Sequence, residues 1–224
     1  MDQEKCGVIV MGTLLLGING LSYSSFMECN PKFLLSLFGA TYRGVVLNRD
    51  SLHPSPAWLS VLKMKDVTGN SFIAASNDEL SLVTDTKSKL VNIPITDPSL
   101  GLASLHYSAQ VSAEKEIDDV KQMVSELLPD NNVIASINAI DRLMSNGEQN
   151  KCHLYELVDS SIRSMTSRAD DFIVFSPFGG GVKNGKYVRE VHGIYMGTID
   201  RPSEFETIRP ANVGALFREL ASKK

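Results

Sequence analysis

Between Gly69 and Ile95 three short apolar runs follow one another with only turn residues between them. Gly69-Asn70 precedes Ser71–Ala75, Ser76-Asn77-Asp78 precedes Leu80–Thr84, and Asp85–Ser88 precedes Leu90–Ile95. This spacing constrains the fold more than any other feature. Parallel strands need crossovers of roughly a dozen residues or more, whereas antiparallel neighbours are joined by tight turns. The runs predict a β-meander. The expected fold class is α+β: an antiparallel β-sheet with a mid-chain helical cluster and a C-terminal helix.

Three subregions follow. Residues 1–110 read as β-rich with two short helices. Asn30-Pro31 and Gly39 supply a cap, a first-turn proline and a closing glycine around Phe33, Leu34, Leu35, Leu37 and Phe38, a helix apolar enough to be buried. Ser55-Pro56 opens a second helix carrying Trp58, Leu59, Val61, Leu62 and Met64. Residues 111–168 read as helical, with stripes at Ile117/Val120/Val124, at Val133/Ile137/Ile140/Met144 and at Leu154/Val158/Ile162. Residues 169–224 read as a strand over Asp171–Ser176, a glycine-rich loop, a long β segment from Lys186 to Ile199, and a helix opened by Pro210 with Val213, Leu216, Phe217 and Leu220 on one face. No flexible linker separates these parts, so residues 1–224 are expected to form a single domain.

The apolar run Cys6–Ile18 has 13 residues, too few for a membrane-spanning helix, which needs about 20. Asp2, Glu4 and Lys5 give it no positive flank, and no small-x-small cleavage site stands near Gly20, so it reads as a buried strand or strand pair rather than a leader. The three cysteines, Cys6, Cys29 and Cys152, are widely spaced, and the sequence holds no glycosylation sequon. These features predict free thiols and a reducing, cytoplasmic setting without a membrane span.

The net charge of −4 argues against a general nucleic-acid coat, although residues 163–224 alone carry +3. Zincin, nucleophile-elbow, EF-hand and dinucleotide-binding motifs are all missing from the sequence. Among the histidines, His53 sits in a proline-rich turn, His106 on a candidate strand, and His153 follows Cys152 with the two side chains pointing apart. His192 and Glu190 are two residues apart on one strand and can meet side by side, as an ion pair or as an acid–base pair. Cys29 precedes a helix N-terminus, which favours a thiolate.

The strongest local signal is the segment from Gly179 to Lys186. From Gly180 it reads Gly-x-x-x-x-Gly-Lys, but Tyr187 stands where a phosphate-binding loop needs Ser or Thr, and a strand-like run follows instead of a helix. Asn184-Gly185 marks a hairpin instead, with Gly180 and Gly181 upstream and Lys183, Lys186 and Arg189 clustered around an exposed tip for an anion or a partner.

Two function classes remain. The expectation is a non-enzymatic binding or assembly protein, such as a subunit of an intracellular or viral particle, with a protein partner or self-association and local anion or nucleic-acid contact. The alternative is a small enzyme with a dispersed site using His192 and Glu190 or the Cys29 thiol. No metal and no cofactor are expected.

Overall fold

The structure is a computed structural model and describes residues 11–95, 110–200 and 205–223. In chain order, β1 (Thr13–Ile18) leads through α1 (Tyr23–Cys29) and α2 (Lys32–Ala40) to β2 (Tyr42–Leu47). Then come α3 (Pro54–Lys63), α4 (Ser81–Thr86), β3 (Lys89–Val91), α5 (Ala113–Leu127), β4 (Val133–Ile137), α6 (Ala139–Ser145) and α7 (Lys151–Thr166). The last part holds β5 (Asp171–Phe175), β6 (Gly179–Lys183), β7 (Lys186–Glu190), β8 (His192–Gly197), β9 (Phe205–Ile208) and α8 (Pro210–Ala221).

Seven strands form one sheet in the order β3-β4-β1-β5-β8-β2-β9, and β6 and β7 form a separate hairpin. In the large sheet β8 alone runs antiparallel to its neighbours; every other pairing is parallel. Alternate residues of β1 divide between two cores. Leu14, Leu16 and Ile18 pack with α5, α6 and α7, while Leu15 packs with Trp58 of α3, Leu82 of α4 and Phe217 of α8. Helices therefore cover both faces, as a parallel sheet requires.

This architecture overturns the antiparallel meander and the α+β class; the fold is α/β. Ser71–Ala75 forms no strand, and Leu80–Thr84 falls mostly within α4. Only the third run contributes a strand, and β3 pairs in parallel with β4, reached through α5. Val133 to Ile137 read as a helical stripe because its apolar residues continue at i+3 and i+4 spacing into Ile140 and Met144. In fact the stripe is a strand running into a short helix. All five residues of β4 are buried, so no polar alternation could mark the strand. The long segment from Lys186 to Ile199 is two strands in two sheets, broken at Val191.

Other expectations agree with the fold. α2, α3, α5, α7 and α8 lie where the caps and stripes place them, although Leu34 is the only buried residue of α2. The latter half of the apolar run is β1, an interior strand that is fully buried; Cys6 itself lies outside the described residues. Among the described residues no helix is long and apolar enough to cross a membrane.

The expected free thiols are corrected as well. Cys29, the last residue of α1, is disulfide-bonded to Cys152 in the first turn of α7. A separation of 123 residues hid this pairing in the sequence. Packing of α1 against α7, with Tyr155 accepting from the Ser22 backbone N–H at 3.2 Å, brings the two cysteines together.

Candidate functional site

The carboxyl ends of β1 and β4 carry a buried polar network. Asn19, just after β1, donates from Nδ2 to Oδ1 of Asn138 at 2.6 Å and accepts from Trp58 Nε1 at 3.0 Å. Asn138, just after β4, donates to the Asn92 carbonyl at 3.0 Å, and its backbone N–H donates to Glu116 Oε1 at 2.5 Å. The other Glu116 oxygen receives Nε and Nη2 of Arg142 at 3.2 and 2.8 Å, an ion pair with both partners buried. A buried pair of this kind persists only when its remaining polar atoms are engaged. Arg142 Nη1 nevertheless has no partner among the described residues.

One residue earlier on α6, Asp141 is fully buried and holds the hairpin down. Its Oδ1 accepts from Tyr187 Oη at 2.9 Å and from Arg189 Nε at 2.7 Å, and its Oδ2 from Arg189 Nη2 at 2.9 Å. The β6–β7 hairpin is shaped for this contact. Asn184 and Gly185 take φ of 51° and 72°, as a two-residue turn of this hand demands. A side chain at Gly180 would stand 2.3 Å from Tyr187 Oη, so only glycine lets the tyrosine pass across β6 to reach Asp141. The Gly180 carbonyl is tied to α1 by the hydroxyls of Ser22 and Ser25, at 2.7 and 3.3 Å.

Opposite Arg189 lies His53, the N-cap of α3. Pro54 has no N–H, and the Ser55 N–H donates to His53 Nδ1 at 3.3 Å, which places the ring proton of neutral His53 on Nε2. Burial, and then the positive charge of Arg189, lower the His53 pKa from its ordinary value, while Asp141 pulls the other way. Between them is a cavity of about 430 Å³ lined by His53, Asn70, Ser145, Tyr187 and Arg189, with Leu52 and Val188.

The sequence candidates scatter around this arrangement. Arg189 lines the cavity. Gly180 and Gly181 are buried in β6 rather than lying in an exposed loop; the exposed tip begins at Val182. Lys183 pairs with Glu190 at 3.4 Å, and Lys186 is exposed at the turn. The strand breaks at Val191, so Glu190 ends β7 and His192 begins β8 in a different sheet, and neither an ion pair nor a hydrogen bond joins them among the described residues. Both instead line a larger, mostly apolar hollow of about 740 Å³ with Tyr23, Met27, Phe38 and Val45. Cys29 is no nucleophile, since its sulfur is spent in the disulfide. His106 lies outside the described residues. Sequence reasoning missed His53 as a site residue, along with Asp141 and the Asn19–Asn138 pair, because each acts through a contact distant along the chain.

No protein-family model matches the sequence, and no curated protein matches it. Solved structures share the fold. Murine ectonucleotide pyrophosphatase/phosphodiesterase 5 is similar at 10% identity and a TM-score of 0.63, over 94% of this chain and 95% of that one. The periplasmic domain of EptC from Escherichia coli is similar at 9% identity and a TM-score of 0.62, over 98% and 84%. A magnesium-bound alkaline phosphatase variant from the Antarctic bacterium TAB5 is similar at 9% identity and a TM-score of 0.56, over 94% and 97%.

These likenesses overturn the expected non-enzymatic or viral assembly subunit. Hydrolases share this fold over nearly the whole chain, so the missing local motifs no longer argue against an enzyme. The residues here do not fit a metal such as the magnesium of the phosphatase. Among the described residues no three His, Cys, Asp or Glu side chains are grouped to hold one. The acidic groups at the edge, Glu116 and Asp141, are each clasped by an arginine, and the neutral carboxamides of Asn19 and Asn138 are bonded to each other.

Proposed function

We propose that this chain recognises a phosphate ester in the cavity between α3 and β7. The observation that carries the reading is the meeting of Arg189 and His53 in one hollow at the carboxyl edge of the sheet, where open α/β sheets bind their ligands. Asp141 grips the guanidinium through Nε and Nη2, so its plane is set before any ligand arrives. A planar, pre-oriented guanidinium is the side chain best matched to phosphate oxygens. His53 adds an Nε2–H donor. A volume of about 430 Å³ is in the range of small-molecule sites. The fold likeness adds support: structures that share the fold include an ectonucleotide pyrophosphatase/phosphodiesterase and an alkaline phosphatase.

Thermal unfolding with 4-nitrophenyl phosphate and methyl 4-nitrophenyl phosphate, both in EDTA, tests the reading. At least one ester should raise the melting temperature saturably, as a ligand bound only to the folded state does. Arg189→Lys keeps the charge but loses the fork, and it should weaken the effect, as should His53→Gln. No shift with either ester overturns the proposal.

A further inference from the structure

The carboxyl edge is charge-balanced pair by pair, and that balance sets what the cavity accepts. Asp141 lies behind Arg189 and cancels its charge, and Glu116 cancels that of Arg142. The remaining lining groups, His53 with its lowered pKa, Asn70, Ser145 and Tyr187, add no fixed positive charge. The described residues also do not fit a divalent cation, the usual means of neutralising a second negative charge on a phosphate. Lys183 and Lys186 are at the exposed tip, where solvent screens them, and Lys183 is already bridged to Glu190.

From this geometry we infer that the cavity takes singly charged phosphate diesters and turns away doubly charged monoesters. The inference rests on the phosphate-ester reading and deepens it by naming the substrate class. A diester places one negative charge against Arg189. A monoester at pH 8 is almost fully dianionic, since its second pKa is about 6. Its second charge finds no second cation in the lining, and the Asp141 carboxylate behind Arg189 repels it.

Isothermal titration at pH 8 in EDTA, comparing methyl 4-nitrophenyl phosphate with 4-nitrophenyl phosphate, reads this directly, because the two differ by one methyl group and one charge. The methyl diester should bind about tenfold more tightly or better. Equal or tighter binding of the monoester overturns the inference while leaving the phosphate-ester reading intact; binding of neither sinks that reading itself. Asp141→Asn removes one negative charge and should shift the ratio toward the monoester. His53→Lys adds a positive charge at the cavity wall without touching the Asp141–Arg189 pair, and should shift it the same way should Asp141→Asn fail to fold. An unchanged ratio in a folded variant overturns the inference. Magnesium in place of EDTA should leave the ratio as it was, and a magnesium-dependent rise in monoester affinity overturns it.

Discussion

The hydroxyl of Tyr187 donates across 2.9 Å to the Asp141 oxygen that also receives Arg189 Nε. Burial first, and then the Asp141 charge, push the Tyr187 pKa well above its ordinary value. Tyr155, buried beneath Ser22, is pushed up to about 12, chiefly by burial. Both folded values exceed the unfolded one of about 10, so the protein holds their contribution in full below that pH and loses it as the pH rises further. Stability should fall above pH ~10 by up to ~1.4 kcal/mol per pH unit for each tyrosine. Urea midpoints at pH 9, 10 and 11 check this; a flat profile would contradict it.

Two cysteines should resist alkylation in denaturant until a reductant is added. Closing a loop of 123 residues is expected to stabilise the fold by about 3–5 kcal/mol in the chain-entropy account. A melting temperature that does not move with reductant, once mass spectrometry shows the bond cut, would count against this.

Glu116→Gln should cost about 3–5 kcal/mol, because it leaves the Arg142 charge buried without its counter-ion. Chemical denaturation measures the loss. A cost below 1 kcal/mol would mean that water reaches Arg142.

Phe217→Ala should cost about 3–5 kcal/mol, since its ring is fully buried between α8 and the sheet. Lys183→Ala with Lys186→Ala should change stability by no more than about 0.5 kcal/mol, because both sit at the exposed tip. A large effect at the tip paired with a small one at Phe217 would reverse this picture of where the core lies.

What could be read from the sequence follows a physical divide. Helices with local punctuation were legible: the proline and glycine around α2, Pro210 of α8, and the amphipathic stripe of α5. So was the Asn184-Gly185 turn, whose backbone demands those residues. The parallel sheet was not, since a strand buried on both faces, like β4, carries no alternation, and its partners lie across helices. The site was half legible. Arg189 stood out as a cation beside a glycine-rich hairpin. Its partner Asp141 sits on α6, 48 residues earlier, and His53 passed for a solvated turn residue.

The position of β2 between β8 and β9 has a consequence for how the chain is made. β2 ends at Leu47, yet its neighbours β8 and β9 begin only at His192 and Phe205. At a synthesis rate of about 5–20 residues per second, β2 waits roughly 7–30 s with both hydrogen-bonding edges open. Open edges invite pairing with other chains. Ribosome-stalled chains ending before residue 192 should therefore be the form most prone to aggregate, and extending them through β9 should relieve it.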